Sequence, residues 1–329
     1  MTMTNTAATD PAEWGFVSGM ISSLESELLP RSFFEAVAKS QSRSEVRAAL
    51  GKSIYRAYFP DDKSLDAASA VLDARGKEIR AEIFKSCPPH PITNYFGIGD
   101  RFRTFRTLFN QACKQSNPPV GELENFFNLF AVEPEYNAGL REHRSMLTRT
   151  NPPQSATPME RSLFLDSAAC SLMSAVAERT PEPLVRQYMR DRALLTAWSG
   201  IFRLRWSGVP ADMIRKWYIF ENSNEFATSV LALEHEPRAV IFARLSTQSA
   251  MILDHFDVPR IKEDIDGVVS EVLRDTVLQC RLMPSGPERV LAYLVSVDVE
   301  LVNLELSLGA AVQGIDRDLT LSRLRREYA

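Results

Sequence analysis

The chain has 329 residues, 45% of them hydrophobic and 24% charged, with a formal net charge of -4 and a sequence pI near 5.7. That length supports a sizeable core in one large domain or two to three small ones, and the mildly acidic balance argues against a nucleic-acid binder, which needs a strongly basic face. No run approaches the roughly twenty apolar residues of a membrane span.

Residues 1–12 are rich in Thr and Ala and lack both a basic start and an apolar core. They read as a disordered tail rather than a signal peptide. An opening helix follows at Phe16-Val17-Ser18-Gly19-Met20, running on to Leu24-Glu25-Ser26 and Leu28-Leu29, and Ser53-Ile54-Tyr55 comes after a short apolar helix. Gly51-Lys52-Ser53 has the tail of a phosphate-binding loop, but Val46 stands where the leading Gly must be and the surrounding period is helical, so no backbone cradle is expected. Gly97-Ile98-Gly99 likewise has Phe102 in place of the third Gly of a dinucleotide fingerprint.

The run Asp61-Asp62-Lys63-Ser64-Leu65-Asp66 follows Pro60. Aspartate-rich helices hold magnesium against a pyrophosphate in all-α isoprenoid synthases, because hard cations want several carboxylate oxygens. Acids directly after a proline are also favoured at a helix start by the dipole. With no convincing second acidic motif, Glu263-Asp264-Ile265-Asp266 lying in a surface-like stretch, the helix start is the preferred reading.

Glycine is scarce, at 14, and the 19 prolines gather at a few breaks. These are Phe59-Pro60-Asp61-Asp62, Cys87-Pro88-Pro89-His90-Pro91, Asn117-Pro118-Pro119-Val120-Gly121, Thr150-Asn151-Pro152-Pro153, Thr180-Pro181-Glu182-Pro183 and Met283-Pro284-Ser285-Gly286-Pro287. Between them apolar residues step by three and four and little alternates by two, which predicts an all-α fold. Three helices follow proline-marked breaks and carry a Tyr ahead of an Asp: Tyr95 and Asp100, Tyr188 and Asp191, Tyr293 and Asp298. A repeat of roughly a hundred residues suggests three related helical subdomains rather than a short-period solenoid; their expected bounds are 13–117, 118–210 and 211–329.

Cys87, Cys113, Cys170 and Cys280 stand singly, which is neither a disulfide framework nor metal-ligand spacing, and points to small buried apolar residues in a cytoplasmic protein. His90, His143, His235 and His255 offer no pair at metal-ligand spacing. No catalytic group, metal or cofactor is expected. Arg101, Arg103, Arg106, Arg203 and Arg205 read as a solvated helix face.

The closing helix carries the clearest pattern. Val290, Leu294, Val297, Leu301, Leu304, Leu308, Ala311 and Ile315 form one buried stripe, with Leu291, Val295, Val299, Val302 and Leu306 beside it. Only Ser296, Glu300, Asn303 and Ser307 make a polar line. Buried acids need partners, so Asp298, Glu300 and Asn303 are expected to tie neighbouring helices together.

The order Tyr293, Asp298, Glu300, Asn303, then Gly314-Ile315, Leu321, Leu324-Arg325 and Tyr328 resembles the C-terminus of the central-stalk C/d family of V-type and A-type ATPases, which has both prokaryotic and eukaryotic members. Asp298 stands where that family usually has Glu, and Glu305 and Gly309-Ala310-Ala311 replace the basic residues that commonly follow the Asn. The opening helix and Ser53-Ile54-Tyr55 resemble the family's N-terminus. In the middle, Tyr188, Asp191, Leu195, Ile201, Arg203 and Arg205 are similar to its Asp-x-x-Asn-Leu and Leu-Arg wording, with Leu194 in place of the Asn; Arg103 replaces it in the run from Ile98.

The resemblance spans nearly the whole chain. It implies three similar helical subdomains around a funnel-shaped hollow with pseudo-threefold symmetry, and a non-catalytic component that couples the rotor shaft to the membrane ring on the cytoplasmic face. Tyr293, Asp298, Glu300, Asn303, Arg325 and Tyr328 would be structural signatures, and Arg203 and Arg205 candidates to meet the shaft. The partners implied are the proteins of the shaft and the ring, with no nucleic acid and no small-molecule ligand. The competing readings are a helical adaptor unrelated to rotary ATPases and an all-α magnesium-pyrophosphate enzyme using Asp61 and Asp62. The stretch from Trp217 to His255 matches no motif.

Overall fold

The computed structural model describes residues 12–60, 65–112, 138–150, 157–233, 236 and 238–328. Residues 1–11 of the expected tail, Asp61, Asp62, Cys113, His235 and the breaks at 117–121 and 151–153 lie outside the described residues, as does the side chain of Arg103.

In chain order the helices are α1 (Gly15–Leu24), α2 (Arg31–Lys39), α3 (Arg43–Leu50), α4 (Ala68–Ser86), α5 (Pro91–Ala112), α6 (Arg141–Thr150), α7 (Pro158–Glu178) and α8 (Pro183–Trp206). Then come α9 (Ala211–Trp217), α10 (Glu225–Ala232), α11 (Ala239–Phe242), α12 (Thr247–Asp254), α13 (Val258–Glu263), α14 (Ile265–Arg281), α15 (Pro287–Gln313) and α16 (Arg317–Arg323). Short 3-10 turns occupy Glu25–Glu27, Ile54–Ala57 and Leu65–Ala67. The described residues contain no strand, so the fold is all-α; an isolated antiparallel bridge joins Phe220 and Ser223.

Proline punctuation sets the helix ends. Pro91, Pro158, Pro183 and Pro287 each open a helix, where the missing N–H is one of the orphan donors anyway. Before α7, Thr157 accepts from the Glu160 N–H and Glu160 reaches back to the Thr157 N–H, a capping box that satisfies two of those donors. The chain divides into two compact units, Met1–Pro89 with Arg274–Ala329, and His90–Leu273.

The first unit is built on α15, which packs against α1, α2, α4 and α16. Leu304 and Leu308 of α15 sit in a core with Phe34, Val37, Leu50 and Leu72. Along the predicted stripe Val290, Leu294, Val297, Leu304 and Leu308 are buried, and Leu301 and Ala311 partly so. Ile315 departs from the expectation and is 45% exposed. The reason is Gly314, whose φ of 73° ends the helix in the left-handed cap that glycine adopts at no steric cost. Ile315 instead folds back over Gly309, where an added Cβ would meet its Cδ1 at 2.9 Å.

The second unit is centred on α7, which packs against α5, α8 and α9. Its core holds Phe164, Leu172, Tyr188, Trp198 and Phe202, with Trp198 edge-on to Phe202 at 5.5 Å. After α9 the chain runs extended and reverses at Glu221 and Asn222, whose φ values are 53° and 62°; two left-handed residues in succession make the tight hairpin reversal. Serines on α7 fasten this strap. Ser171 Oγ donates to the Ile219 carbonyl at 3.1 Å and accepts the Glu221 N–H at 3.1 Å, Ser174 donates to the Glu221 carboxylate at 2.8 Å, and Ser167 Oγ lies 3.5 Å from the Trp217 carbonyl. Arg244 pairs with Glu221 and lies 5.6 and 5.0 Å from the Phe220 and Phe226 ring centres. A glutamate held at positive φ costs of order 1–2 kcal/mol, which these contacts offset.

Among the free cysteines, Cys170 and Cys280 are buried as expected, whereas Cys87 is only partly so.

Candidate functional site

Helical spacing places Ser296, Glu300, Asn303 and Ser307 in one line along α15. Ser296 and Ser307 donate to carbonyls of their own helix, Ala292 at 2.8 Å and Asn303 at 2.7 Å. Glu300 and Asn303 bond outward instead. Glu300 Oε1 accepts the Tyr55 hydroxyl at 2.6 Å and Oε2 accepts the Leu29 N–H at 2.5 Å. Each donor is available for a local reason. Leu29 follows the extended Leu28 that ends the 25–27 turn, and Tyr55 sits in the 54–57 turn capped by Ser53.

Glu300 is 5% exposed. Burial pushes its carboxyl above the ordinary range, while the Tyr55 and Leu29 hydrogen bonds and the Arg75 charge pull it back. Burial, reinforced by the Glu300 charge, drives the Tyr55 and Tyr293 hydroxyls upward as well. Such a carboxyl is tolerated because both of its oxygens are bonded.

Asn303 is fully buried. Its Oδ1 accepts the Arg325 N–H at 2.8 Å and its Nδ2 donates to the Arg325 carbonyl at 3.0 Å, so one side chain acts toward the tail as a neighbouring strand would. Leu324 drops into the core of this unit, Tyr328 is buried, and the Arg281 guanidinium donates to the Tyr328 carbonyl. Asp298 pairs with Arg80 at 3.3 Å, and Glu25 with Arg289 at 2.5 Å. Beside Glu300 is a cavity of about 20 Å³ lined by Leu28, Leu29, Phe34, Ser296, Glu300 and Glu327, among others. It has room for about one water molecule, not for a substrate.

The second unit has its own buried acid. Asp191, 3% exposed, accepts from Ser246 Oγ at 2.5 Å and Ser249 Oγ at 2.6 Å on Oδ2, and from the Ser246 N–H at 3.1 Å on Oδ1. Ser246 is the N-cap of α12, so Asp191 fixes where that helix begins. The three Tyr and Asp pairs found in the sequence therefore have different chemistries. Tyr95 donates to the Met189 carbonyl at 3.2 Å, the Tyr188 hydroxyl accepts from Arg192 at 2.8 Å, and Asp298 faces an arginine where Asp191 faces serines.

Arg203 Nη1 lies 3.0 and 2.9 Å from the two oxygens of Asp266, and Arg106 pairs with Asp166. Arg101 is exposed and Arg205 partly exposed. The charge of Arg203 is thus already met inside its own unit.

Sequence reasoning missed His143. It is fully buried, packs against Phe164 with ring centres 5.2 Å apart, and has Nε2 3.1 Å from Ser167 Oγ. Because that hydroxyl already donates to the Phe164 carbonyl at 2.9 Å, it accepts from His143 Nε2–H. Nδ1 finds no partner among the described residues, and burial pulls the imidazole down to about 3. No periodic or spacing signal marks such a residue. The Asp191 partners were findable only in part, Ser246 being a helix-cap type ahead of an apolar run.

Among the described residues no group of three or more His, Cys, Asp or Glu is placed to hold a metal ion, and no helix is long and apolar enough to cross a membrane. The arrangement is that of an all-α protein whose buried polar side chains act as ties between chain segments. No protein-family model matches the chain, and no curated protein matches it.

Proposed function

We propose that this chain is a non-catalytic central-stalk component of a rotary V-type or A-type ATPase, a socket that couples the rotor shaft to the membrane ring for ion transport. In this reading three similar helical subdomains surround a hollow, and the protein sits on the cytoplasmic face, attached through the ring. The observation that carries it concerns the two stretches that resemble the family, which are the two ends of the sequence. They are tied within one unit by the signature residues: Glu300 binds the Leu29 N–H and Tyr55, and Asn303 binds Arg325. A torque-bearing socket needs ends that do not fray, and interiors packed at crystal-like density deform little.

The test is to tag the full-length chain in its native host and isolate it under mild detergent. Stoichiometric recovery of the shaft and ring proteins, with no ATP hydrolysis by the purified chain alone, is the expected outcome. Recovery without any rotary ATPase component, or magnesium-dependent turnover of a pyrophosphate by the isolated chain, would overturn the reading.

A further inference from the structure

The cavity beside Glu300 holds a second carboxyl group. Glu327, on the C-terminal tail, lines it together with Glu300, Ser296 and Tyr328. Glu327 Oε1 is shielded from solvent and has no hydrogen-bond donor among the described residues. Three neighbouring donors are committed elsewhere: the Tyr55 hydroxyl and Leu29 N–H to Glu300, and the Ser296 hydroxyl to Ala292.

The charged and titratable groups facing the pair come from three other elements and from α15 itself, and do not balance it. Arg75 of α4 and Tyr55 of the 54–57 turn act on Glu300, as does Tyr293 from its own helix. On the Glu327 side stand Arg31 and Glu35 of α2, and Arg31 is bonded to Glu35 at 2.8 Å.

We propose that Glu300 and Glu327 hold a single proton between them across this cavity, and that the proton fastens the C-terminal tail to α15. The cavity's size admits one bridging water molecule, which passes the hydrogen bond from the Glu300 carboxyl to Glu327 Oε1. Two carboxyls sharing a site do not both ionise readily, and the pair titrates as a unit.

Burial raises both groups, and the Glu327 charge raises Glu300 further. A carboxyl raised in the folded state contributes stability that is complete below its unfolded value, about 4.5, and is lost as pH rises through the folded value. The tail is therefore held hardest in mild acid and loosens toward neutrality, while the Asn303 bonds to Arg325 hold it without titrating.

Hydrogen exchange of the full-length protein at pH 5.0 and 7.5, corrected for intrinsic rates, tests this in residues 324–328 with α15 as reference. Tail protection should be at least about threefold greater at pH 5.0, the share of a one-unit proton linkage that remains above the unfolded value, with α15 unchanged. Glu327→Gln places an amide donor where the shared proton would be and should keep the tail protected at both pH values; Glu327→Ala should leave it loose at both. Equal wild-type protection at the two pH values, a change shared by α15, or a pH dependence that survives in Glu327→Gln would each overturn the proposal.

Discussion

Replacing Asn303 by Ala removes the side chain that reads both polar groups of one tail residue. The two bonds to Arg325, at 2.8 and 3.0 Å, are each worth about 1 kcal/mol net. Arg325 is only partly buried, so water reaches its backbone once the tail lifts and the larger penalty of an unsatisfied buried pair is avoided. The expected cost is about 2 kcal/mol, a roughly 30-fold rise in tail opening. Asn303→Asp sharpens the point. It keeps the acceptor for the Arg325 N–H but turns the donor toward the Arg325 carbonyl into an oxygen, and buries a charge besides. At pH 7 it should be at least as damaging as Ala. A buried aspartate has its pKa raised, so the stability it loses at neutral pH returns as pH falls through that value. Hydrogen exchange at residues 324–328 reads the local opening directly. Tail exchange in Asn303→Ala within about threefold of wild type, equivalent to less than about 0.7 kcal/mol, would refute the assignment of Asn303 as the tail anchor.

Asp191→Ala leaves two hydroxyls and an N–H without their charged acceptor and should cost the second unit about 3 kcal/mol, read by urea denaturation through the buried Trp198. A cost under about 0.5 kcal/mol, the level of an ordinary surface change, would mean that water replaces the carboxylate. His143, held near 3 in the fold against about 6.5 unfolded, makes stability fall as pH drops below 6.5. Between pH 7 and 5 the loss should be about 2 kcal/mol, and His143→Phe should remove that share of the slope in parallel urea titrations. Gly139→Ala would put a Cβ 2.8 Å from the Ala175 Cβ and 3.1 Å from the Ser171 carbonyl oxygen, an overpacking expected to cost about 1–3 kcal/mol in thermal denaturation.

The helical class and several helix ends were legible because proline and period act locally. Pro91, Pro183 and Pro287 open helices at the breaks read from the sequence, and the α15 stripe is buried along most of its length. Ile315 was misplaced on that stripe because its i+4 spacing from Ala311 says nothing about the left-handed turn at Gly314. Glu300 and Asn303 could be singled out as polar residues on an apolar helix, but their partners lie far along the chain, 271 residues away for Leu29 and 22 for Arg325. Pairing at such separation is fixed by packing, which no local pattern encodes. The stretch from Trp217 stayed silent for the same reason: its strap is held by Ser171 and Ser174 of α7, nearly fifty residues earlier.

That strap matches two different repeats to each other. Along an extended chain, every second residue advances about 6.6 Å, and along a helix four residues advance about 6 Å, so Ser167 and Ser171 lie in step with Trp217 and Ile219. The helix works as a ruler for a chain that has no neighbouring strand among the described residues. One residue inserted between 217 and 221 would turn every side chain beyond it to the opposite face. One inserted into α7 between Ser167 and Ser171 would swing the next serine about 100° around the axis. Point substitutions at these positions weaken a bond, whereas changes of length remove the register altogether.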